Sequence, residues 1–391
     1  MRVCMFSMLL PAHVTGGMEI HALELARGIV KAGHEVAVIT SRHHQGIEKE
    51  VVDGVEIYYT DVDATSKKPL GRKSLQKLEE LHAEKRFGVV HSQSFAAFYY
   101  VKDGLKQKLG IPLVTTIHGT SFGEIRSNLN QGLRLMLIPK IIFHLYNQYA
   151  ITKPFVQASD MVIAISKELT ESFPKDYGIS PAKVRTVYNG IDTERFKPTE
   201  SKIKGSYKGK RIILTVSVLH KQKGVQYLIE AMKNVSEKFS NVHLVVVGDG
   251  PYRKELEALA RKLGVEGRVT FAGKRSNEEV KDYYNACEVF AIPTVRVEGL
   301  PLIELESMAC GKPVVASNIG GIPTVIEDGV NGILVPPGDG KKLSAQLIRV
   351  LGDAKLAARL GSEARKTIEK DFSRKSMVEN TLKAYGEAIL S

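Results

Sequence analysis

Two glutamates eight positions apart, Glu298 and Glu306, frame the run Glu298-Gly-Leu-Pro-Leu-Ile-Glu-Leu-Glu306, which continues Ser-Met-Ala-Cys-Gly-Lys-Pro. If the span were wholly helical, they would stand about 12 Å apart. That separation suits two hydroxyl-bearing rings joined by a diphosphate, and ionised carboxylates accept hydrogen bonds from sugar hydroxyls well. Glu304 lies two positions from Glu306 and on a helix should point elsewhere. Upstream, Lys223 closes the run Ser217-Val-Leu-His-Lys-Gln-Lys223 at the mouth of a helical stretch. A cation there can neutralise a departing diphosphate beside helix-terminus amides. The plainer alternative is a solvated lysine.

Two further places could serve a phosphate or a sugar. Gly16-Gly17 precedes a helical stretch; paired glycines let backbone approach a ligand closely, and the helix start offers N–H groups and a positive dipole end. The alternative is a simple tight turn. His118 follows the strand-like Leu113–Ile117 and precedes Gly119 and Thr120. A histidine at a strand end can polarise a hydroxyl or a carbonyl, or it can be a satisfied polar residue. Other patterns carry less. Gly248-Asp249-Gly250 resembles the start of a dinucleotide fingerprint, but Arg253 stands where its third glycine belongs. Asp61-Val62-Asp63 matches a metal-holding D-x-D formally and is read as incidental. Cys4, Cys287 and Cys310 are far apart with no C-x-x-C, so neither a disulfide framework nor a zinc site is expected. No metal site is expected elsewhere.

The elements that must position these residues alternate along the chain. Strand-like runs at Arg2–Phe6, Glu35–Thr40, Val55–Tyr59, Gly88–His91, Leu113–Ile117, Met161–Ile165 and Val184–Tyr188 are separated by helical patterns such as Glu19–Lys31 and Ser74–Lys85. The cycle restarts at Arg211–Val216 and runs through Val242–Val247, Val269–Ala272, Val289–Ile292, Pro313–Ala316 and Gly332–Val335. Repeated βα units imply parallel sheets covered on both faces. The fold class expected is therefore α/β, with two doubly wound Rossmann-like domains of residues 1–195 and 196–372, and a closing helix in 373–391. The polar stretch Thr193–Lys210 reads as the linker. In open α/β sheets ligands bind beyond the carboxyl ends of the strands, which is where the singled-out residues fall.

Composition narrows the partners. The 391 residues are 43% apolar and 25% charged, ordinary for a soluble globular chain. The net charge of +12 favours anions: nucleotide sugars, lipid headgroups or nucleic acid. Nucleic acid is not expected, because the cations are dispersed, tryptophan is absent and no binding motif is present. The apolar start fits a first strand better than a signal peptide, and no stretch is long enough to span a membrane, so a cytoplasmic protein is expected. Leu133–Ile151, with Pro139 inside it, is unusually apolar. Its first reading is a buried helix pair. The alternative is a peripheral contact with the inner membrane face that presents a lipid acceptor.

Taken in order, these runs resemble the retaining glycosyltransferases of the GT-B fold, of the group 1 or family 4 type. The resemblance rests on Gly16-Gly17-Met18-Glu19, His118, Tyr188-Asn189-Gly190-Ile191-Asp192, Lys223-Gly224 and Val247-Gly248-Asp249-Gly250-Pro251. It continues through Phe271-Ala272-Gly273, the E-x7-E glutamates, Gly320-Gly321-Ile322-Pro323 and Gly332-Ile333-Leu334-Val335-Pro336, and so covers nearly the whole chain.

The resemblance implies two domains facing a central cleft, with the closing helix crossing back to the first. It implies transfer of a hexose from a nucleotide-diphosphate sugar to the hydroxyl of a carbohydrate or lipid-linked acceptor, with α-linkage and no metal or bound cofactor. GDP-mannose, UDP-glucose and UDP-N-acetylglucosamine stay open as donors. Glu298 would hold donor-sugar hydroxyls and Glu306 the ribose. The Leu302 amide, Lys223, Ser217 and the Gly16-Gly17 loop would meet the diphosphate. His118 would sit beside the transferred sugar, and Lys274, after Phe271-Ala272-Gly273, near the base. The chain departs from the family pattern in three places. Ser217-Val218 replaces the usual Gly-Arg, Pro301 stands where many members have glycine, and Thr324 follows Pro323 where glutamate is common. Two rivals remain: a nucleotide-sugar 2-epimerase, and a non-catalytic sugar-nucleotide sensor.

Overall fold

The computed structural model describes every residue except 15, 66–68, 121–124 and 126–137, and of Lys140 only the backbone. The chain divides into two compact units. The first holds the described residues up to Gly190 together with Arg374–Ser391, and the second holds Ile191–Ser373. The closing helix runs Arg374–Leu390.

The first unit is built on β1 (Arg2–Phe6), β2 (Glu35–Thr40), β3 (Lys49–Val52), β4 (Val55–Tyr59), β5 (Val89–Gln93), β6 (Leu113–Ile117), β7 (Met161–Ala164) and β8 (Val184–Thr186). They form one sheet in the order β3-β4-β2-β1-β5-β6-β7-β8. All pairs are parallel except the β3–β4 hairpin. Its turn is Asp53-Gly54, with φ of 50° and 81°, the left-handed pair that a two-residue hairpin requires.

Alternation along β1 splits the core across the two faces of the sheet. Val3 and Met5 pack with helix Gly17–Lys31 and the closing helix, through Leu25, Ile29, Val378 and Tyr385. Cys4 and Phe6 pack on the other face with Leu78, Tyr100 and Phe155. The closing helix is thus part of the first unit's core. Arg374 Nη1 donates to Glu24 Oε2 at 2.7 Å, and Val378 lies so close to Gly28 that no side chain fits there.

The second unit carries β9 (Arg211–Val216), β10 (Val242–Val247), β11 (Val269–Gly273), β12 (Val289–Ile292), β13 (Val314–Ser317) and β14 (Ile333–Val335). Every pair is parallel, in the order β11-β10-β9-β12-β13-β14. The strands read as near-continuous apolar runs because helices cover both faces. Strand order reverses between β9 and β12, the place where open α/β sheets bind ligands. In the first unit the reversal lies between β1 and β5.

One expectation is overturned. Of the apolar segment Leu133–Ile151, residues 133–137 lie outside the described residues. From Ile138 the segment is helical, but it is not a buried pair: Ile142, Phe143 and Tyr146 are 61%, 61% and 64% exposed. The buried residue of its described part is the polar Gln148, followed by the buried Thr152 just beyond it.

Candidate active site

In the second unit the loops after β9 and β12 meet at the strand-order reversal. The loop after β9 ends in a short turn, Lys221–Lys223, and Gly224 (φ 74°) then opens helix Val225–Lys238. Any side chain at Gly224 would strike the Pro293 carbonyl, so glycine here lets the two loops touch. They are stitched together by Val295 N, which donates to Gln222 O at 2.9 Å. Lys223 Nζ consequently lies 2.7 Å from Glu298 Oε1. Thr294 Oγ1 lies 3.1 Å from the same oxygen. The backbone of Glu298 is held by Gly320-Gly321: Gly321 N donates to Glu298 O at 2.8 Å, and Gly320 (φ 59°) packs flat against it. Burial works against the charge of Glu298, but Lys223, Arg296 and the Thr294 hydroxyl outweigh it and hold the carboxyl below its ordinary range. Glu298 is therefore a firmly ionised acceptor at neutral pH.

The other expected donor-side residues are placed less uniformly. Helix Leu302–Ala309 begins after Pro301, and its first amides have no partner within the helix. Glu306 lies on that helix, 6% exposed, and its Oε2 accepts from Tyr284 Oη at 2.8 Å. Burial raises its pKa, with Tyr284 and Arg195 opposing. Glu304 does point elsewhere, into the interior. It is 0% exposed, neither carboxyl oxygen meets a hydrogen-bond partner among the described residues, and burial followed by the charge of Glu298 drives its pKa far up. Ser217 Oγ is likewise buried without a partner, while Val218 is 62% exposed and Lys221 is exposed. Lys274 is exposed on the loop after β11.

In the first unit the singled-out histidine is one of three. His118 Nε2 lies 2.7 Å from Gln93 Oε1, and Gln93 Nε2 faces Met5 Sδ, which fixes the amide's orientation. His118 Nε2 is thus the donor and Nδ1 the free acceptor. Edge-on to His118, with ring centroids 4.7 Å apart, stands His21, one helical turn beyond Gly17. Glycine pair and histidine therefore belong to one neighbourhood. Behind them, His91 bridges Tyr385 Oη (2.6 Å from Nδ1) and Thr116 Oγ1 (2.8 Å from Nε2). All three rings are held neutral. Burial lowers His21 to about 4, with Asn189 opposing, and His91 to about 3, with His21 adding to the effect. Burial, followed by His21 and His91, carries His118 well below its ordinary value. A neutral His118 can accept a hydrogen bond from a sugar hydroxyl but carries no charge to offer.

Sequence reading passed over Thr294, Tyr284, His21 and His91, and took Tyr385 only as an apolar residue of the closing helix. Only His21, four residues after the glycine pair on the same helix face, left a signal in spacing. The formal D-x-D is engaged elsewhere: Asp61 pairs with Lys73 at 2.6 Å, and Asp63 accepts from Thr65.

Comparison with known proteins agrees with this arrangement. Residues 15–195 match the glycosyltransferase family 4 model, and residues 196–367 match the model of glycosyl transferases group 1. A glycosyltransferase of Methanocaldococcus jannaschii of uncharacterized activity is 31% identical over 98% of each chain. Among solved structures, sucrose-phosphate synthase from Thermosynechococcus elongatus superposes with a TM-score of 0.80 at 21% identity, covering 100% of this chain and 99% of that one. Anabaena HepE in complex with UDP and glucose gives 0.74 at 21% identity, covering 99% of each. With two Rossmann-like α/β units, both family models matched in succession and an end-to-end relative above 30% identity, the chain belongs to the group 1/family 4 glycosyltransferases of the GT-B fold.

Proposed function

We propose that this glycosyltransferase moves a hexose from a nucleotide-diphosphate sugar to an acceptor hydroxyl with retention, giving an α-linked product. The observation that carries the reading is the Lys223–Glu298 pair at the strand-order reversal of the second unit. It sets a cation and a firmly ionised acceptor side by side, as a diphosphate bonded to a hydroxyl-rich ring requires. A UDP complex of the same fold supports a nucleotide as the handle.

In this reading the acceptor oxygen bonds to the anomeric carbon on the face from which the phosphate leaves. The departing phosphate oxygen takes the acceptor's proton. Lys223 and the first amides of helix Leu302–Ala309 meet the charge that grows on the diphosphate. Ser217 contacts the same group. Glu298 holds sugar hydroxyls, Glu306 the ribose and Lys274 the region of the base. His118 offers its Nδ1 lone pair to the transferred sugar. With valine at position 218, Lys223 is the cation that carries most of this electrostatic load.

The test is a panel of GDP-mannose, UDP-glucose and UDP-N-acetylglucosamine. A cognate donor at ~100 times its Kd stabilises by about 2.7 kcal/mol and raises the melting temperature. NMR of the product formed with that donor should show an α-anomeric proton. A β-anomeric signal overturns retention. Conversion of the donor without acceptor makes the protein an epimerase, and tight binding without turnover on any acceptor makes it a sensor.

A further inference from the structure

We propose that the outer face of the helical stretch 138–152 docks on an anionic phospholipid surface. This inference goes beyond the transfer reading and rests on none of its residues. Ile138, Ile142, Phe143, Leu145, Tyr146 and Tyr149 recur at steps of three and four, so they form one stripe. All six are exposed: Ile142, Phe143, Tyr146 and Tyr149 by more than half, Ile138 by 42% and Leu145 by 37%. The inward side carries Gln148, which is 0% exposed and donates from Nε2 to Asp176 O at 3.4 Å, and Thr152. A helix packed on a water-soluble core turns its apolar stripe inward; this one is reversed. The remaining exposed large apolar residues among those described are dispersed along the chain, as on an ordinary surface. A contiguous stripe of this kind marks an interaction face.

Charge and side-chain type select the occupant. No aspartate or glutamate occurs between Glu124 and Asp160, whereas Arg126, Arg134, Lys140 and Lys153 fall within that stretch. Lys153 Nζ lies 5.7 Å from the centre of the Tyr149 ring, so a cation sits at the end of the apolar stripe. Apolar and tyrosine side chains on one helical face, with the Lys153 cation at its end and no acidic residue in the surrounding sequence, match the boundary between acyl chains and anionic headgroups. Among the described residues no helix is long and apolar enough to cross a membrane, so the contact is one of lying on the surface. Docked this way, the chain would meet acceptors anchored in the same leaflet.

The experiment is flotation of the purified full chain with vesicles, without donor or acceptor, so that its outcome is independent of the transfer reading. Wild type should float with vesicles of phosphatidylcholine mixed with phosphatidylglycerol, far less with phosphatidylcholine alone, and should be released by salt. The triple variant Ile142→Ser, Phe143→Ser, Tyr146→Ser should bind at least about tenfold more weakly, with an unchanged melting temperature because these side chains touch water already. Lys153→Gln should lose about fivefold. If the triple variant fails to fold, Phe143→Ser alone serves, with a smaller loss in the same direction. Wild type that does not float, or a triple variant that floats equally well, overturns the proposal. So does a lipid-free wild-type dimer by light scattering that the same substitutions convert to monomer, since a second copy would then own this face.

Discussion

Lys223 Nζ and Glu298 Oε1 stand 2.7 Å apart although 75 positions separate them in sequence. The parallel pairing of β9 with β12 makes them neighbours by placing the loop after each strand at the same end of the sheet. They form an ion pair with side chains 24% and 14% exposed, so water screens it only in part. A donor brings both a diphosphate that competes for the lysine and hydroxyls that compete for the carboxylate. In the proposed reading, binding exchanges one ion pair for two charge-assisted contacts.

Replacing Lys223 should damage catalysis more than binding. Negative charge grows on the donor phosphate as its bond to the sugar breaks, so a cation aimed there stabilises the transition state above the ground state. Lys223→Ala is expected to lower kcat by about 10²–10³, with a smaller change in donor affinity. Lys221→Ala, at an exposed position, should change little. Steady-state kinetics of both variants with one donor–acceptor pair decides the matter. A Lys223→Ala enzyme within a few-fold of wild type removes this residue from the mechanism, and a large loss at Lys221 transfers its role there.

A metal is not needed where a lysine and helix-terminus amides take up the diphosphate charge. Transfer should therefore survive chelator and gain nothing from added magnesium or manganese. Activity lost on chelation and restored by one divalent ion would contradict this.

The strands of both sheets were legible because buried parallel strands are near-continuously apolar, as in Val242–Val247, where His243 is the one polar member. β3 was not, since Lys49–Val52 is only four residues at a sheet edge, two charged side chains followed by two valines. Its turn, Asp53-Gly54, was nonetheless written in the sequence. Lys223 and Glu298 could be picked out as charged residues just past strands, but their contact depends on strand order, which no local pattern carries. The same holds more strongly for His91 and Tyr385, which meet across 294 positions. The stripe on helix 138–149 was visible as apolar sequence. Its exposure was not, because periodicity says which residues share a face and not what that face meets.

The closing helix should support both stability and activity. Met377, Val378, Tyr385 and Ala388 are buried in the first unit, whereas Ile389 is 48% exposed and adds little. Tyr385→Phe leaves His91 Nδ1 buried without its partner, a loss of about 1–3 kcal/mol. It should also loosen Thr116, two residues before His118, and so lower activity modestly. Deleting residues from Ser373 onward should reduce melting temperature and rate together. Unchanged values in the deletion would show the helix to be dispensable.

Glu304 offers a test in which removing a charged residue strengthens the protein. Its carboxyl is fully buried and meets no hydrogen-bond partner among the described residues, and its pKa is raised by burial and then by Glu298. A carboxyl raised in the folded state keeps its proton while the unfolded chain, with an ordinary pKa near 4.3, gives it up. The stabilisation linked to that proton is complete below the unfolded pKa and declines as pH rises toward the folded one. At neutral pH and above, Glu304 therefore lowers stability relative to an apolar side chain of similar length. Glu304→Leu should melt higher than wild type, with the difference growing from pH 5 to pH 8. Glu304→Gln, which cannot ionise but still buries an unpaired polar group, should show the flatter pH dependence without the full gain. Melting curves of the three proteins across that range check the argument. A wild-type curve parallel to that of Glu304→Leu would mean that the carboxyl titrates alike in folded and unfolded chains.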